Sequence, residues 1–311
     1  MKITVIGAGN VGATTAQLLA NAELANEIYL VDVLEGIPQG KGLDMYESMP
    51  ILESDARIFG TNEYDVTRDS DIVIQTAGLA RKPGMSRDDL LIKNAEIVSS
   101  CIENAFKYSP NAHYIIVSNP LDVMTYVALK VTGLPKHKVV GMAGILDTAR
   151  FRSFISMEIG CSMQDISAQI LGGHGDTMVP LPRFTTVAGI PVTDLISKER
   201  MDAICDRAAK GGGEIVAHLK TGSAYYAPAA AAVQMVESIV KDQKRIFPCS
   251  VLLNGEYGFN DVVVGVPVKL GKNCIEQIIE LKLNEDEKAL LANSATHVQA
   301  TIKEAMELIK K

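Results

Sequence analysis

Short runs of β-branched and aliphatic residues alternate with Ala- and Leu-rich stretches over the first 141 residues of the chain. A short β-branched run is typical of a strand, whereas longer stretches with apolar residues three and four apart indicate helices. The apolar runs predict strands at 2–6, 28–32, 57–60, 71–78, 113–117 and 139–141. Helices are predicted between most of them, including 86–108 and 121–131. This alternation predicts an α/β fold with a doubly wound parallel sheet, because parallel strands need crossover connections.

The pattern changes near residue 144, beyond which strands and helices no longer alternate regularly. Helices are predicted from 145 to about 159, at 198–219 with a break at Gly211-Gly212-Gly213, at 227–241 and at 285–310. Strand-like runs fall at 166–171, 185–192, 251–253 and 261–270. The second half is therefore predicted to be an α+β unit, and the chain is expected to divide into residues 1–143 and 144–311.

A glycine motif, Gly7-Ala8-Gly9-Asn10-Val11-Gly12, lies between the first predicted strand and a helix predicted at 13–23. The motif alone is a weak signal, but between a strand and a helix it predicts a dinucleotide site. Its glycines allow a tight turn, close approach of a pyrophosphate to the helix N-terminus, and close helix–strand packing. Asp32, 20 residues after the last Gly, would accept hydrogen bonds from ribose hydroxyls and repel a 2′-phosphate. Residues 1–143 are therefore predicted to form a Rossmann domain that binds NAD rather than NADP.

Composition excludes several other classes of protein. With 30 Lys and Arg against 37 Asp and Glu, the net charge of -7 argues against general binding to nucleic acid or an anionic membrane. The sequence has no apolar run of about 18 residues that could span a membrane, and we expect no signal peptide. The five cysteines are widely spaced without a Cys-x-x-Cys pair, so we expect free thiols in a reducing cytoplasm and no metal site.

Polar residues follow two predicted strands where a ligand of a doubly wound sheet would lie. Residues 79–89 carry Arg81 and Arg87 around a Pro-Gly turn, and Ser118-Asn119-Pro120 follows the fifth strand. A solvated basic turn is the ordinary explanation of such a loop. Its place at a strand end beside the cofactor motif favours a ligand-binding function.

The stretch Leu171-Gly172-Gly173-His174-Gly175-Asp176 places a histidine between small residues, so that a ligand can approach it closely. The unperturbed pKa of histidine lies near neutral pH, and the side chain can give or take a proton. On its own, a histidine in a Gly-rich turn is more often structural than catalytic. Asp147 and Arg150 share one face of the helix predicted from 145, where the ordinary explanation is a surface ion pair.

Together these motifs identify a resemblance that extends over essentially the whole chain. The chain resembles the lactate/malate dehydrogenases, and within that family it looks closest to the bacterial malate dehydrogenases of lactate-dehydrogenase-like type. The matching motifs are Gly7-Ala8-Gly9-Asn10-Val11-Gly12, Asp32, Thr76-Ala77-Gly78, Ser118-Asn119-Pro120, Leu146-Asp147-Thr148-Ala149-Arg150 and Gly172-Gly173-His174-Gly175-Asp176. The resemblance implies that residues 144–311 form a catalytic, substrate-binding domain beside the NAD-binding domain.

The resemblance also implies a role for individual residues. His174 exchanges a proton with the substrate oxygen, Asp147 holds its imidazole, and Arg87 polarises the substrate carbonyl. Arg150 binds the C1 carboxylate, and Asn119 contacts the substrate from the end of the fifth strand. The implied cofactor-binding residues are Gly7, Gly9, Asn10, Val11, Gly12, Asp32, Thr76, Ala77, Gly78, Asn94, Val117 and Asn119.

Substrate choice is expected to rest on Arg81. In the family, a Gln at this place goes with lactate dehydrogenase and an Arg with malate dehydrogenase. Oxaloacetate has one carboxylate more than pyruvate, and burying it is costly unless a cation meets it. A guanidinium can bind a carboxylate through two hydrogen bonds. We therefore expect an NAD-dependent malate dehydrogenase that interconverts malate and oxaloacetate, with residues 79–89 closing over the substrate.

Other functions are weighed against this one. The nearest alternative is a lactate or other 2-hydroxyacid dehydrogenase of the same fold, which Arg81 disfavours. A non-catalytic NAD-binding sensor is disfavoured, because it would need the glycine turn but not His174, Asp147, Arg87 and Arg150 together. A metal-dependent hydrolase is disfavoured because no His-Glu-x-x-His or paired Cys/His spacing is present. The resemblance implies a homodimer or homotetramer, and the sequence does not distinguish the two.

Overall fold

A computed structural model describes residues 1–79 and 87–309, with side chains for 1–79 and 88–307. The helices are α1 (Asn10–Asn21), α2 (Ile37–Ser48), α3 (Arg87–Tyr108), α4 (Leu121–Thr132), α5 (Ala143–Ile159), α6 (Val192–Leu195), α7 (Lys198–Leu219), α8 (Tyr226–Val240) and α9 (Glu285–Ile309). The strands are β1 (Lys2–Ile6), β2 (Glu27–Val31), β3 (Arg57–Thr61), β4 (Ile72–Gln75), β5 (His113–Ile116), β6 (Val139–Gly141), β7 (Ile166–Ser167), β8 (Ile170–Leu171), β9 (Val179–Pro180), β10 (Thr186–Val187), β11 (Ile190–Pro191), β12 (Arg245–Asn254), β13 (Asn260–Gly271) and β14 (Cys274–Ile278).

The first six strands form a parallel sheet in the order β3-β2-β1-β4-β5-β6. All four residues of β4 are buried, because strands of a parallel sheet with helices on both faces meet no solvent. The strand order reverses between β1 and β4, and a crevice opens beyond the carboxyl ends of strands at such a point. The predicted α/β fold with a doubly wound parallel sheet is confirmed.

The second half of the chain adds three strands to this sheet and forms two small sheets outside it. β12 pairs with β6 through Ser250 and Gly141, and β13 and β14 continue the sheet antiparallel. Two small antiparallel sheets, β7-β10-β11 and β8-β9, lie outside it. The predicted α+β character of this half is confirmed, and the division at residues 143 and 144 stays a prediction. Apolar residues of both halves contribute to one continuous core.

The helix α7 continues through Gly211-Gly212-Gly213, where the sequence predicts a break, and that prediction is wrong. The cause is close packing against α5. A Cβ atom added to Gly211 would lie 3.1 Å from Cδ of Arg150, and one added to Gly212 would lie 3.6 Å from its NH2 atom. The glycines therefore mark a place where a helix approaches a long side chain rather than a turn.

Two smaller differences concern strands. The single run predicted at 166–171 is two strands, β7 and β8, which belong to different small sheets. β12 is much longer than the strand predicted at 251–253. The prediction was too short because the rest of β12 includes Arg245, Pro248 and Asn254 and has no simple apolar pattern. Among the described helices none has the length and apolar character needed to cross a bilayer.

Candidate active site

A cavity of about 480 Å³ lies beyond the carboxyl ends of β4 and β5, between the parallel sheet and helices α5 and α7. The loops after β4 and β5 form one wall, and α5 and α7 form the other. The residues with predicted roles that line it are Val11, Thr76, Gly78, Asn94, Val117, Asn119, Asp147, Arg150 and His174. Residues that lie more than 160 positions apart in the sequence are thus brought to one cavity.

The glycine motif forms a tight turn from β1 into α1. Gly7 has a φ of 100°, in the left-handed region that favours glycine. A Cβ atom on Gly12 would lie within 1.8 Å of the carbonyl oxygen of Gly7, so the third glycine permits the helix to start against the strand. At Gly9 a Cβ atom would meet nothing within 4 Å among the described residues. The space beside Gly9 is therefore open to a ligand.

The N-terminus of α1 points its peptide N–H groups toward that space. Gly9 is the N-cap residue, and no side chain of the described segments caps the helix. Uncapped N–H groups and the helix dipole favour an anion at this position. A pyrophosphate fits both the open space and these donors.

Asp32 follows β2 directly and lies next to the glycine turn. Its Oδ2 atom accepts the N–H of Ala8 at 2.6 Å, and its Oδ1 atom accepts the N–H of Leu34 at 3.0 Å. Each carboxylate oxygen has a second lone pair, so the two backbone bonds leave acceptor capacity for hydroxyl groups. The residues of this region therefore fit the adenosine ribose of a dinucleotide.

Asn94 bridges the two loops that enclose the cavity. Its Oδ1 atom accepts the N–H of Leu79 at 2.7 Å, and its Nδ2 atom donates to the carbonyl oxygen of Asn119 at 2.8 Å. The side chain is buried, and its hydrogen bonds tie Leu79, which follows β4, to Asn119, which follows β5. Asn94 thus holds together the loops that would contact a ligand.

His174 and Asp147 form a hydrogen-bonded pair at the floor of the cavity. Nδ1 of His174 lies 2.8 Å from Oδ2 of Asp147, and the histidine side chain is 16 % exposed. The Asp147 carboxylate therefore fixes a proton on Nδ1 and leaves Nε2 as the other nitrogen for exchange. This is the geometry of a general acid and base held by an orienting carboxylate.

The electrostatics of the pair favour the imidazolium. Burial alone would lower the pKa of His174, but the charge and hydrogen bond of Asp147, with a smaller contribution from Asp122, raise it above its ordinary value. Arg150 opposes the shift because its positive charge lies close by. The net result is a histidine whose pKa lies above its ordinary value.

Arg150 presents a guanidinium with unused donors to the cavity. Its NH1 atom lies 3.3 Å from Oδ1 of Asp147, and its side chain is only 14 % exposed. The buried Nε atom has no acceptor within the segments that the structure describes. A nearly buried guanidinium with one long hydrogen bond is incompletely satisfied. A carboxylate of a ligand in the cavity would complete it through two hydrogen bonds.

Helix α7 supplies the wall that the sequence did not reveal. Ala209, Gly212, Gly213 and Val216 line the cavity opposite Arg150. A run of glycines inside a helix pattern contradicts helix propensity, and such a conflict is a signal of close packing or function. Ala224, which follows α7, lines the same cavity.

Two predicted residues cannot be placed in this geometry. Arg81 lies outside the described residues, as do residues 80–86 as a whole. Arg87 begins α3, and its side chain lies outside the described part.

The described residues suffice for one kind of chemistry. An anion fits at the N-terminus of α1, a carboxylate fits at Arg150, and a proton can be exchanged at His174. The three functions face one cavity or its entrance. This arrangement suits a redox reaction at a carbon that carries both an oxygen and a carboxylate.

Two family models together match almost the whole chain. Residues 1–141 match the lactate/malate dehydrogenase NAD-binding domain. Residues 145–309 match the lactate/malate dehydrogenase alpha/beta C-terminal domain.

Curated relatives and solved structures agree with the family models. A malate dehydrogenase of Chlorobium limicola is 60% identical over 299 residues, which are 96% of each chain. The structure of malate dehydrogenase from Salinibacter ruber has a TM-score of 0.96 at 53% identity and covers 100% of this chain and 99% of its own. Lactate dehydrogenase from Cryptosporidium parvum, solved with lactic acid and NAD, has a TM-score of 0.94 at 42% identity, with 100% and 98% covered.

Proposed function

Since this chain belongs to the lactate/malate dehydrogenase family and is an oxidoreductase, we propose that it interconverts malate and oxaloacetate with NAD as cofactor. The observation that carries the proposal is the nearly buried Arg150 guanidinium beside the Asp147–His174 pair in one cavity. A 2-hydroxy or 2-keto acid offers a carboxylate to the arginine and an oxygen to the histidine.

NAD is proposed as the cofactor because the turn from β1 to α1 fits a dinucleotide. The open space at Gly9 and the uncapped α1 N-terminus suit its pyrophosphate, and Asp32 suits its adenosine ribose. When bound, NAD would supply the means of taking up or giving a hydride. Val11, Thr76 and Gly78 line the part of the cavity next to the turn and would hold the nicotinamide end.

His174 moves the proton in this proposal. For reduction of a keto acid, the imidazolium donates its Nε2 proton to the substrate oxygen while Asp147 stabilises the charge. For oxidation of malate, neutral His174 accepts the hydroxyl proton. Because the pKa of His174 is raised, reduction would be fastest below that pKa and decline as the pH rises through it. Oxidation would show the opposite trend and decline as the pH falls.

The choice of malate over lactate is supported by the relatives and by one residue. The Chlorobium limicola and Salinibacter ruber proteins bear the name malate dehydrogenase. Arg81 would pair with the second carboxylate of oxaloacetate, and Arg87 would polarise its carbonyl. Both assignments rest on the resemblance of the motifs, since these side chains lie outside the described residues.

The setting of the enzyme is proposed on separate grounds. All five cysteines are free thiols, which suits a reducing cytoplasm. A homodimer or homotetramer is proposed from the family resemblance.

The test of the proposed reaction is a pair of initial rates of NADH oxidation, one with oxaloacetate and one with pyruvate. We expect kcat/KM for oxaloacetate to exceed that for pyruvate by several orders of magnitude, since Arg81 would face pyruvate's methyl group unpaired. In Arg81→Gln the ratio should shift toward pyruvate by at least about 100-fold. Arg68→Gln, on an exposed turn outside the cavity, is the matched control. An unchanged ratio in Arg81→Gln would reject the assignment of this residue.

Asp32 is expected to set the preference for NAD. Replacement by Ser removes the charge that would repel a 2′-phosphate, and the ratio of kcat/KM for NAD to that for NADP should fall about tenfold or more. The measurement is the rate of malate oxidation with each cofactor. Asp44→Ser, at an exposed position of α2, should leave the ratio unchanged. Equal use of both cofactors by the unmodified enzyme would show that Asp32 does not discriminate.

A further inference from the structure

Asp122 is a buried carboxylate that the proposed reaction does not use. It lies in the first turn of α4, just after the loop that carries Asn119, and is 6% exposed. Burial of a carboxylate is costly unless strong hydrogen bonds compensate for it. The partners of Asp122 therefore indicate what its presence achieves.

Both oxygens of Asp122 bind residues from the second half of the chain. Its Oδ2 atom accepts the peptide N–H of His174 at 2.8 Å. Its Oδ1 atom accepts the hydroxyl of Ser250, on β12, at 2.5 Å. One side chain thus links α4 to the loop at residues 172–178, called the histidine loop below, and to β12, the strand that pairs with β6.

Two further contacts hold the histidine loop, and neither involves a charged group. Gly172 exchanges two backbone hydrogen bonds of 2.9 Å with Gly265 on β13. The N–H of Gly173 donates to the hydroxyl of Ser294 on α9 at 2.8 Å. Within the described segments, Asp122 is the charged side chain that holds the backbone of this loop. It does so at the residue that carries the imidazole.

His174 therefore lies between two carboxylates. Asp147 contacts its ring from α5, and Asp122 contacts its peptide group from α4. Among the described residues, Arg150 on α5 is the cation whose charge acts on the same ring. Burial raises the pKa of Asp122 above its ordinary value, and the hydrogen bonds from Ser250 and His174 offset only part of this rise. The peptide N–H of His174 can only donate a hydrogen bond, so the Oδ2 atom of Asp122 is the acceptor in this contact.

We propose that Asp122 is a positioning residue for the proton exchange: it fixes the backbone of His174 and places a second negative charge behind the Asp147–His174 pair. The proposal rests on the dehydrogenase function proposed above for the role of His174. Fixing the peptide group aims Nε2 at the substrate oxygen, and the added charge favours the imidazolium. Both effects are absent from a carboxylate that only stabilises the fold.

The first test is Asp122→Asn, which keeps the shape of the side chain and removes its charge. The amide oxygen can still accept the N–H of His174, and the amide nitrogen can donate to Ser250, whose hydroxyl then acts as acceptor. The titration of His174 is followed by NMR of its ring, with the resonance assigned by its absence from His174→Asn. We expect the titration midpoint to move to lower pH in Asp122→Asn. This readout needs no substrate turnover.

The second test is Asp122→Ala, which removes both hydrogen bonds. A displaced catalytic group can cost on the order of 100-fold in rate. We expect kcat for oxaloacetate reduction to fall about 100-fold while KM changes less than about threefold, and Asp122→Asn to recover most of kcat below the His174 midpoint. Ser294→Ala is the matched control, since it removes the neutral anchor of the adjacent residue. It should lower the melting temperature without moving the midpoint.

The outcomes separate the two proposals. If the titration midpoint of His174 is unchanged in Asp122→Asn, the charge of Asp122 does not favour the imidazolium. If kcat for oxaloacetate reduction is unchanged in Asp122→Ala, Asp122 does not position His174. Either result overturns that part of the proposal. A shift of the same size in Ser294→Ala would assign the effect to general loosening of the loop and also overturn the proposal. If the unmodified protein oxidised NADH with neither oxaloacetate nor pyruvate, the proposed function would fail, while the NMR titration would still decide the effect of charge.

Discussion

Replacing His174 by Asn is expected to reduce kcat for oxaloacetate reduction by about 10²- to 10⁴-fold, because proton donation by a positioned group contributes rate factors of this size. Asn is smaller than His, but its amide nitrogen can take the place of Nδ1 and keep a hydrogen bond to Asp147, so the fold around the cavity should be kept. NADH binding should remain within about threefold of the unmodified enzyme, since the turn at Gly7–Gly12 is untouched. Stopped-flow rates and a fluorescence titration with NADH measure the two quantities.

The control for this change is His137→Asn, at an exposed position outside the cavity, which should leave both quantities unchanged. The pH profile gives a second check. In the unmodified enzyme kcat/KM for reduction should decline with rising pH through the raised pKa of His174, and that limb should vanish in His174→Asn. Turnover near the wild-type rate, or an unaltered limb, would remove His174 from the mechanism.

The second large effect is expected at Arg150. Arg150→Lys keeps the positive charge but loses the planar pair of donors that matches a carboxylate. Losing one hydrogen bond to a charged group costs about 2 kcal/mol, so kcat/KM for oxaloacetate should fall about 30-fold. Most of the loss should appear in KM, because the carboxylate is bound in the ground state as well as in the transition state. Steady-state kinetics with oxaloacetate measures both constants.

Arg152→Lys is the matched control, since Arg152 lies on the same helix but donates to the carbonyl oxygen of Met163 instead. Its kinetics should match those of the unmodified enzyme. An unchanged KM in Arg150→Lys would mean that the unsatisfied guanidinium binds something other than the substrate carboxylate.

The parallel sheet and the glycine turn could be predicted because their signals are local. β4 is buried along its whole length and is apolar apart from Gln75, while Gly7 has a left-handed φ and Gly12 lies against the carbonyl oxygen of Gly7. The order of such segments along the chain is enough to predict the doubly wound sheet. The strand ends then indicate where a ligand lies.

The site itself depends on contacts that no local pattern reveals. His174 and Asp147 are joined by a hydrogen bond across 27 positions of sequence, and their pairing was inferred from the family resemblance. Asp122 belongs to none of the sequence motifs, and an acidic residue at a helix start is ordinarily explained by the helix dipole. The glycines of α7 were interpreted as a break because propensity describes a helix in isolation, not one pressed against Arg150.

The glycine run of α7 also determines where the enzyme can be made more heat-resistant. Each glycine inside a helix costs roughly 1 kcal/mol relative to alanine. A methyl group on Gly213 would meet no described atom within 4 Å, but Gly213 lines the cavity, so alanine there would strengthen the helix and narrow the space for a ligand. On Gly211 the same methyl group would press on Arg150 at 3.1 Å. Selection for thermostability would therefore accept alanine at Gly213 or Gly211 only where some catalytic activity could be lost.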